Sequence, residues 1–171
     1  MFIAHAPAGY IMATSLVKRA KNISASAIAV ITVGVFGAIA PDVDILYFYL
    51  IDNRQTHHHK YITHLPIFWL AMLVISIVWL YLSKNKKSPF LILTFSLGGL
   101  LHVILDSLTG GIRWFAPFID KSYPLVVIPA AFKPWWLSFI LHWTFVIELS
   151  ICILALFIYR QRSSKSIRPT R

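Results

Sequence analysis

Histidine and aspartate recur in this chain in four short stretches: His5, Pro41-Asp42-Val43-Asp44, His57-His58-His59-Lys60-Tyr61-Ile62-Thr63-His64, and His102-Val103-Ile104-Leu105-Asp106. Imidazole and carboxylate together are ligands for a divalent metal, with zinc the best fit to a mixed nitrogen and oxygen set and manganese or iron behind it. His102 and Asp106 are four apart, so on a helix they project about 40° from each other and can grip one ion. Asp42 and Asp44 follow Ala40-Pro41, where the proline biases Ala40 away from helical geometry. In extended backbone, residues two apart point to the same side. The candidate ligands are His5, Asp42, Asp44, His59, His64, His102 and Asp106. Seven exceed the four that a tetrahedral zinc takes, so the expectation is one to three ions. Each piece has an ordinary reading as well. His102 alone would be a satisfied core group, Asp42 and Asp44 a helix cap, and His57 and His58 part of a hydrophilic loop. Their joint occurrence in so apolar a chain is what argues for metal, because ionisable groups in or beside membrane segments are costly to retain.

The elements that must bring these residues together are helices in a bilayer. Of 171 residues, 58% are hydrophobic and 13% charged, against roughly 25% charged in a soluble domain. That balance argues against a greasy soluble domain and for an all-α, multi-pass integral membrane bundle. Five apolar segments are expected, at 5–17, 23–40, 65–83, 90–108 and 135–159, the first too short to cross fully. Residues 1–159 read as one membrane-embedded domain and 160–171 as a basic, solvated, unstructured tail. The connectors 41–64 and 109–134 read as loops.

Net charge is +10, and eleven of the sixteen Lys and Arg fall at Lys18/Arg19/Lys21, Lys84/Lys86/Lys87 and Arg160/Arg162/Lys165/Arg168/Arg171. Clusters of that kind between apolar runs mark cytoplasmic ends and a bilayer partner, not nucleic acid. The expected topology starts outside, crosses five times and ends in the cytoplasm, which gathers all four His/Asp stretches at the opposite rim. The first five residues lack the basic start of a cleavable signal, so His5 is expected to be retained. Cys152 is the only cysteine, which rules out an intrachain disulfide. Glu148, deep in the last segment, is a functional candidate by its depth, and His142 lies six residues away on another face. Trp114, Phe115, Tyr123, Trp135 and Trp136 read as an interfacial belt.

An ordered set of motifs runs through these stretches: His5, Pro41-Asp42-x-Asp44, His59-Lys60-x-x-Thr63-His64, and Gly98-x-x-x-His102-x-x-x-Asp106. Over roughly residues 1–120 it resembles the YdjM-type membrane-bound metal-dependent hydrolases, which look distantly similar to zinc-dependent phospholipases C. The resemblance implies a bacterial inner-membrane hydrolase that cleaves an ester or phosphoester, with a lipid substrate reached at headgroup depth. It further implies His59, His64, His102 and Asp106 as ligands, with Asp42 or Asp44 a ligand or general base. Asp44 is the expected base. Lys60, Tyr61 and Leu65 depart from the family's usual His-Arg-Gly-x-Thr-His-Ser. The competing expectations are a non-catalytic metal-binding or metal-transporting protein and a scaffold with structural metal.

Overall fold

The computed structural model describes residues 3–134 and 136–167. Among the described residues seven α-helices are formed: α1 His5–Lys21, α2 Ala27–Ile39, α3 Asp44–Leu50, α4 Pro66–Leu82, α5 Lys87–Asp106, α6 Trp136–Ile140 and α7 Thr144–Ile167. The only extended pairing among the described residues is an isolated antiparallel bridge between Ile112 and Tyr123.

The helices begin where the local chemistry permits. Ser26 caps α2 by accepting the Ala29 N–H at 3.1 Å, which satisfies one of the free donors at a helix start. Pro66 opens α4, where its missing N–H is no loss. Helix α5 starts three residues earlier than expected, because Asn85 Oδ1 takes the Lys87 N–H at 3.0 Å.

Helices α1, α2 and α5 pack through small residues. A Cβ on Gly9 would sit 2.5 Å from that of Ala38, one on Gly34 2.6 Å from that of Ala13, and one on Gly98 2.6 Å from the Gly34 carbonyl oxygen. Such close backbone approach is how membrane helices gain packing where lipid offers no hydrophobic drive. Helix α4 lies against the far side of α5, its Trp69 ring seated over Gly99. The outer faces of α4 and α7 expose Val74, Ile75, Tyr81, Leu82, Ile153 and Phe157.

The chain is a helical membrane protein. Helices α5 and residues 144–164 of α7 are long and apolar enough to cross, and α2 with Pro41–Leu50 makes a third candidate bent by 53°. Helices α1 and α4 have 17 residues each, about 26 Å against a hydrocarbon core of ~30 Å. Length and apolarity therefore mark two or three spans, where about five were expected.

Other expectations are corrected locally. Ala40 is helical and Pro41–Val43 is a 3-10 turn that leads directly into α3. Asp42 and Asp44 are thus on a coiled path, not an extended one, and point in different directions. The connector 41–64 is not all loop: it holds α3 and two further 3-10 turns, at His58–Lys60 and Ile62–His64. The run 135–159 is broken between α6 and α7, where the His142 ring accepts the Thr144 N–H at 3.4 Å and meets the Thr144 hydroxyl at 2.9 Å. The tail is helical to Ile167; Arg168, Arg171 and Trp135 lie outside the described residues.

Chain direction sets the two ends of the bundle. α1 and α2 form an antiparallel hairpin, as do α4 and α5, and α7 runs parallel to α1. The last relation follows from Glu148 accepting the Ile3 N–H at 2.6 Å while Tyr159 meets the Tyr10 ring at 6.3 Å. One end therefore carries His5, Asp42, His64 and Asp106, and the other carries the basic clusters of the two hairpin turns and of α7.

Candidate metal centre

Four elements deliver side chains to one point. The last turn of α5 carries His102 and Asp106, the 3-10 turn after α2 carries Asp42, the turn before α4 carries His64, and the first residue of α1 is His5. Ligand atoms of Asp42, His64, His102 and Asp106 all lie within 4.8 Å of one another. His64 and His102 are fully buried and Asp106 nearly so, while the Asp42 side chain is 35% exposed.

Each of the two buried imidazoles is locked through Nδ1. His102 Nδ1 donates to the Ala38 carbonyl at 2.7 Å, and His64 Nδ1 meets Asp44 Oδ2 at 2.7 Å. A carbonyl can only accept, which fixes His102 as the tautomer with a bare Nε2. Both Nε2 atoms lack a hydrogen-bond partner, although a buried polar atom without one is rare and needs a reason. What they face is oxygen: Asp42 Oδ1 is 3.8 Å from His64 Nε2 and 3.6 Å from His102 Nε2, and Asp106 Oδ2 is 3.6 and 3.1 Å from the same atoms. Three of these four separations exceed hydrogen-bond length. They approximate the edge of a zinc tetrahedron, roughly 3.3 Å for bonds of about 2.0–2.1 Å. Converging lone pairs at tetrahedral spacing are the donor set of a cation, and these residues fit one.

Asp44 backs the site. Its Oδ2 accepts from both the Thr63 hydroxyl at 2.5 Å and His64 Nδ1, and it is buried. Thr63 is itself fixed, because its carbonyl takes the Trp69 indole N–H at 2.7 Å. A carboxylate behind a ligating histidine sets the ring's tautomer and orientation.

His5 stacks on His102 with ring centroids 3.7 Å apart, and its Nε2 lies 3.0 Å from Asp106 Oδ1. His59 Nε2 lies 3.5 Å from Asp106 Oδ2. His58, His59 and His64 form a second group with ligand atoms in mutual reach. His64 has one nitrogen to give, since Nδ1 is committed to Asp44, so it can serve only one of the two groups. Burial pushes the His59 imidazole down to about 3. At His64 burial acts in the same direction, but the Asp106 and Asp44 carboxylates outweigh it and hold the ring up at about 9, so in the absence of a cation Nε2 carries a proton that a bound metal would displace.

A cavity of about 760 Å³ opens beside the donors, with Asp42, Asp106 and His59 in its wall together with Ile45, Phe48 and Arg54. That is the size of a small-molecule site. Glu148 and His142 stand apart from it: Glu148 is buried and ties the start of α1 to α7, and His142 caps α7. Sequence reasoning did not single out Thr63, Arg54 or the Ala38 carbonyl. The Thr63 position was visible within the His-x-x-x-Thr-His string, but a backbone carbonyl leaves no trace in residue identity.

Residues 1–165 match the model of the family described as YdjM inner membrane protein. The chain belongs to that family. Neither the curated proteins nor the solved structures gave a match.

Proposed function

Starting from membership of the YdjM inner membrane protein family, we propose that this chain is a membrane-bound metal-dependent hydrolase acting on an ester or phosphoester. Asp42, His64, His102 and Asp106 hold the ion, with zinc the best fit to two imidazoles and two carboxylates. Two carboxylates offset the charge of a dication, which favours this group over the all-histidine group as the primary position. The reading rests on one observation: two buried imidazoles, each anchored through Nδ1, aim Nε2 atoms without hydrogen-bond partners at two carboxylates at near-tetrahedral spacing.

A bound zinc lowers the pKa of a coordinated water to about 7 and polarises the scissile group. The chain's own residues do the rest. Ala38 and Asp44 keep both rings aimed. Asp42, the one partly exposed donor, lines the cavity, where it can accept a proton from a water entering there. The base role expected of Asp44 fits less well, since its Oδ2 is taken by Thr63 and His64 and it is not among the residues that line the cavity; we assign it the orienting role. His5 and His59 flank Asp106 and are positioned for a further ion or for hydrogen bonding to the substrate. The lining by Ile45, Phe48 and Phe139 suits a substrate with an apolar part, so lipid esters and phosphoesters are the first compounds to assay.

A transporter would keep its ligands near the bilayer midplane on broken helices, whereas these sit at helix ends beside a cavity. The deciding experiment is metal analysis of detergent-purified wild type beside Asp106→Ala, with hydrolysis of chromogenic phosphodiester and carboxylic ester assayed in parallel. Stoichiometric metal in the wild type, its loss in the variant and turnover lost with it are the expected results. Wild type that is folded but free of metal after supplementation with zinc overturns the reading. Metal without turnover of any ester class leaves the non-catalytic metal protein in its place.

A further inference from the structure

Among the described residues that line the cavity, the charged groups are Asp42, Asp106 and Arg54. The two carboxylates belong to the donor set, and a dication between them cancels their charge. What remains is Arg54, an exposed residue in the wall of the same cavity.

Arg54 is held there by construction. After α3 the chain turns back on itself, with the Arg54 N–H donated to the Phe48 carbonyl at 3.0 Å. Asn53 and Arg54 both adopt left-handed backbone, at φ 49° and 64°. That conformation is uncommon for arginine, and such strain gathers at functional positions. The guanidinium stacks on the Tyr49 ring, 4.7 Å from its centroid, an arrangement that orients the fork and leaves its edge N–H groups unused. No carboxylate among the described residues pairs with it. Asp52, two residues away, is engaged instead by the Thr56 N–H at 2.6 Å. The other arginine near the site, Arg113, is spent on Asp120 and on the Lys60 carbonyl.

We propose that Arg54 is the anion-recognition residue of this site, binding the non-bridging oxygens of a phosphoryl group, so that the substrate class is phosphoester and not neutral carboxylic ester. This rests on the hydrolase reading above and narrows it. A neutral ester offers a guanidinium no charge to bind, whereas a phosphoryl group offers paired oxygens that match its fork.

The test is phosphate binding to zinc-loaded, detergent-purified protein, followed by calorimetry with inorganic phosphate for wild type, Arg54→Lys and Arg54→Gln. Metal content is measured on the same samples. Arg54 is exposed, so the variants are expected to fold and to keep their metal. Arg54→Gln should weaken phosphate binding about tenfold or more, with Arg54→Lys between, because it keeps the charge and loses the fork. Unchanged affinity in Arg54→Gln with metal intact would mean that phosphate contacts the metal alone, and the proposal would fall while the hydrolase reading stood. A metal-free wild type fails that reading first, and is seen by metal analysis before any titration. Competition separates the sources of the phosphoryl group. Displacement of phosphate by phosphatidylglycerol vesicles supports a lipid headgroup, and displacement by glycerol phosphate supports a soluble phosphoester. Displacement by neither marks phosphate as an adventitious ion only and overturns the proposal.

Discussion

The unusual chemistry of this chain is concentrated in how two histidines are held from behind. His102 is anchored by a backbone carbonyl and His64 by a carboxylate, both at 2.7 Å. The sequence shows the His102/Asp106 pair plainly, since four residues on a helix make one gripping face. It does not show that Asp42 and Asp44 divide the work. Two-residue spacing suggests one shared face only if the backbone is extended, and here Pro41–Val43 is a tight turn that sends Asp42 to the donors and Asp44 behind His64. The division is testable. Asp44→Asn should lower metal affinity about tenfold, and Asp44→Ala up to about 100-fold, since removal of an outer-shell partner of a ligating histidine costs that much. The asparagine is milder because its amide oxygen can still accept from His64 Nδ1. Competition with a chromogenic chelator gives both values. If Asp44 were the base, turnover would collapse in Asp44→Asn with metal affinity unchanged, and the orienting assignment would be wrong.

The elements put these residues in register through contacts between backbones. The start of α4 at Pro66 was readable as local chemistry, and so was the small-residue character of α2, whereas the cap at Ser26 lay inside the expected apolar segment 23–40. Helix α3 was hidden because its seven residues lie inside a connector whose histidines and charges read as loop. The break at His142 was hidden because hydropathy runs unbroken across it. Gly98 shows why the helix contacts matter to the site. A Cβ there would sit 2.6 Å from the Gly34 carbonyl oxygen and 2.7 Å from the Ala38 nitrogen, and Ala38 is the residue whose carbonyl holds His102. Gly98→Ala must therefore push α2 away from α5 at the anchoring point. The expected cost is about 1–3 kcal/mol of stability, as for overpacking elsewhere, read from thermal unfolding in detergent by circular dichroism. Metal affinity should fall in the same variant. A Gly98→Ala protein with wild-type midpoint and metal content would show that α2 and α5 do not meet this closely.

At the scale of the whole molecule, charge and topology agree through independent routes. The basic residues of the α1–α2 turn, the α4–α5 turn and the end of α7 gather at the end of the bundle opposite the donors, because both hairpins are antiparallel and α7 runs beside α1 in the same direction. The clustering of Lys and Arg was legible in sequence. The number of crossings was not, because α1 and α4 at 17 residues are marginal against the thickness of the bilayer. Positive charge is retained on the cytoplasmic side, so we propose that the basic end lies there and the donors at the outer rim. The apolar side chains that the site end presents, Phe118, Leu125 and Val127 among them, then lie at the depth of the headgroups. A fluorescent protein fused after Arg171 should fluoresce and alkaline phosphatase at the same point should stay inactive, with the reverse for an insertion after Val127. Active phosphatase at the C-terminus would place the donors at the cytoplasmic face, and the substrate would then have to be sought in the inner leaflet or the cytosol.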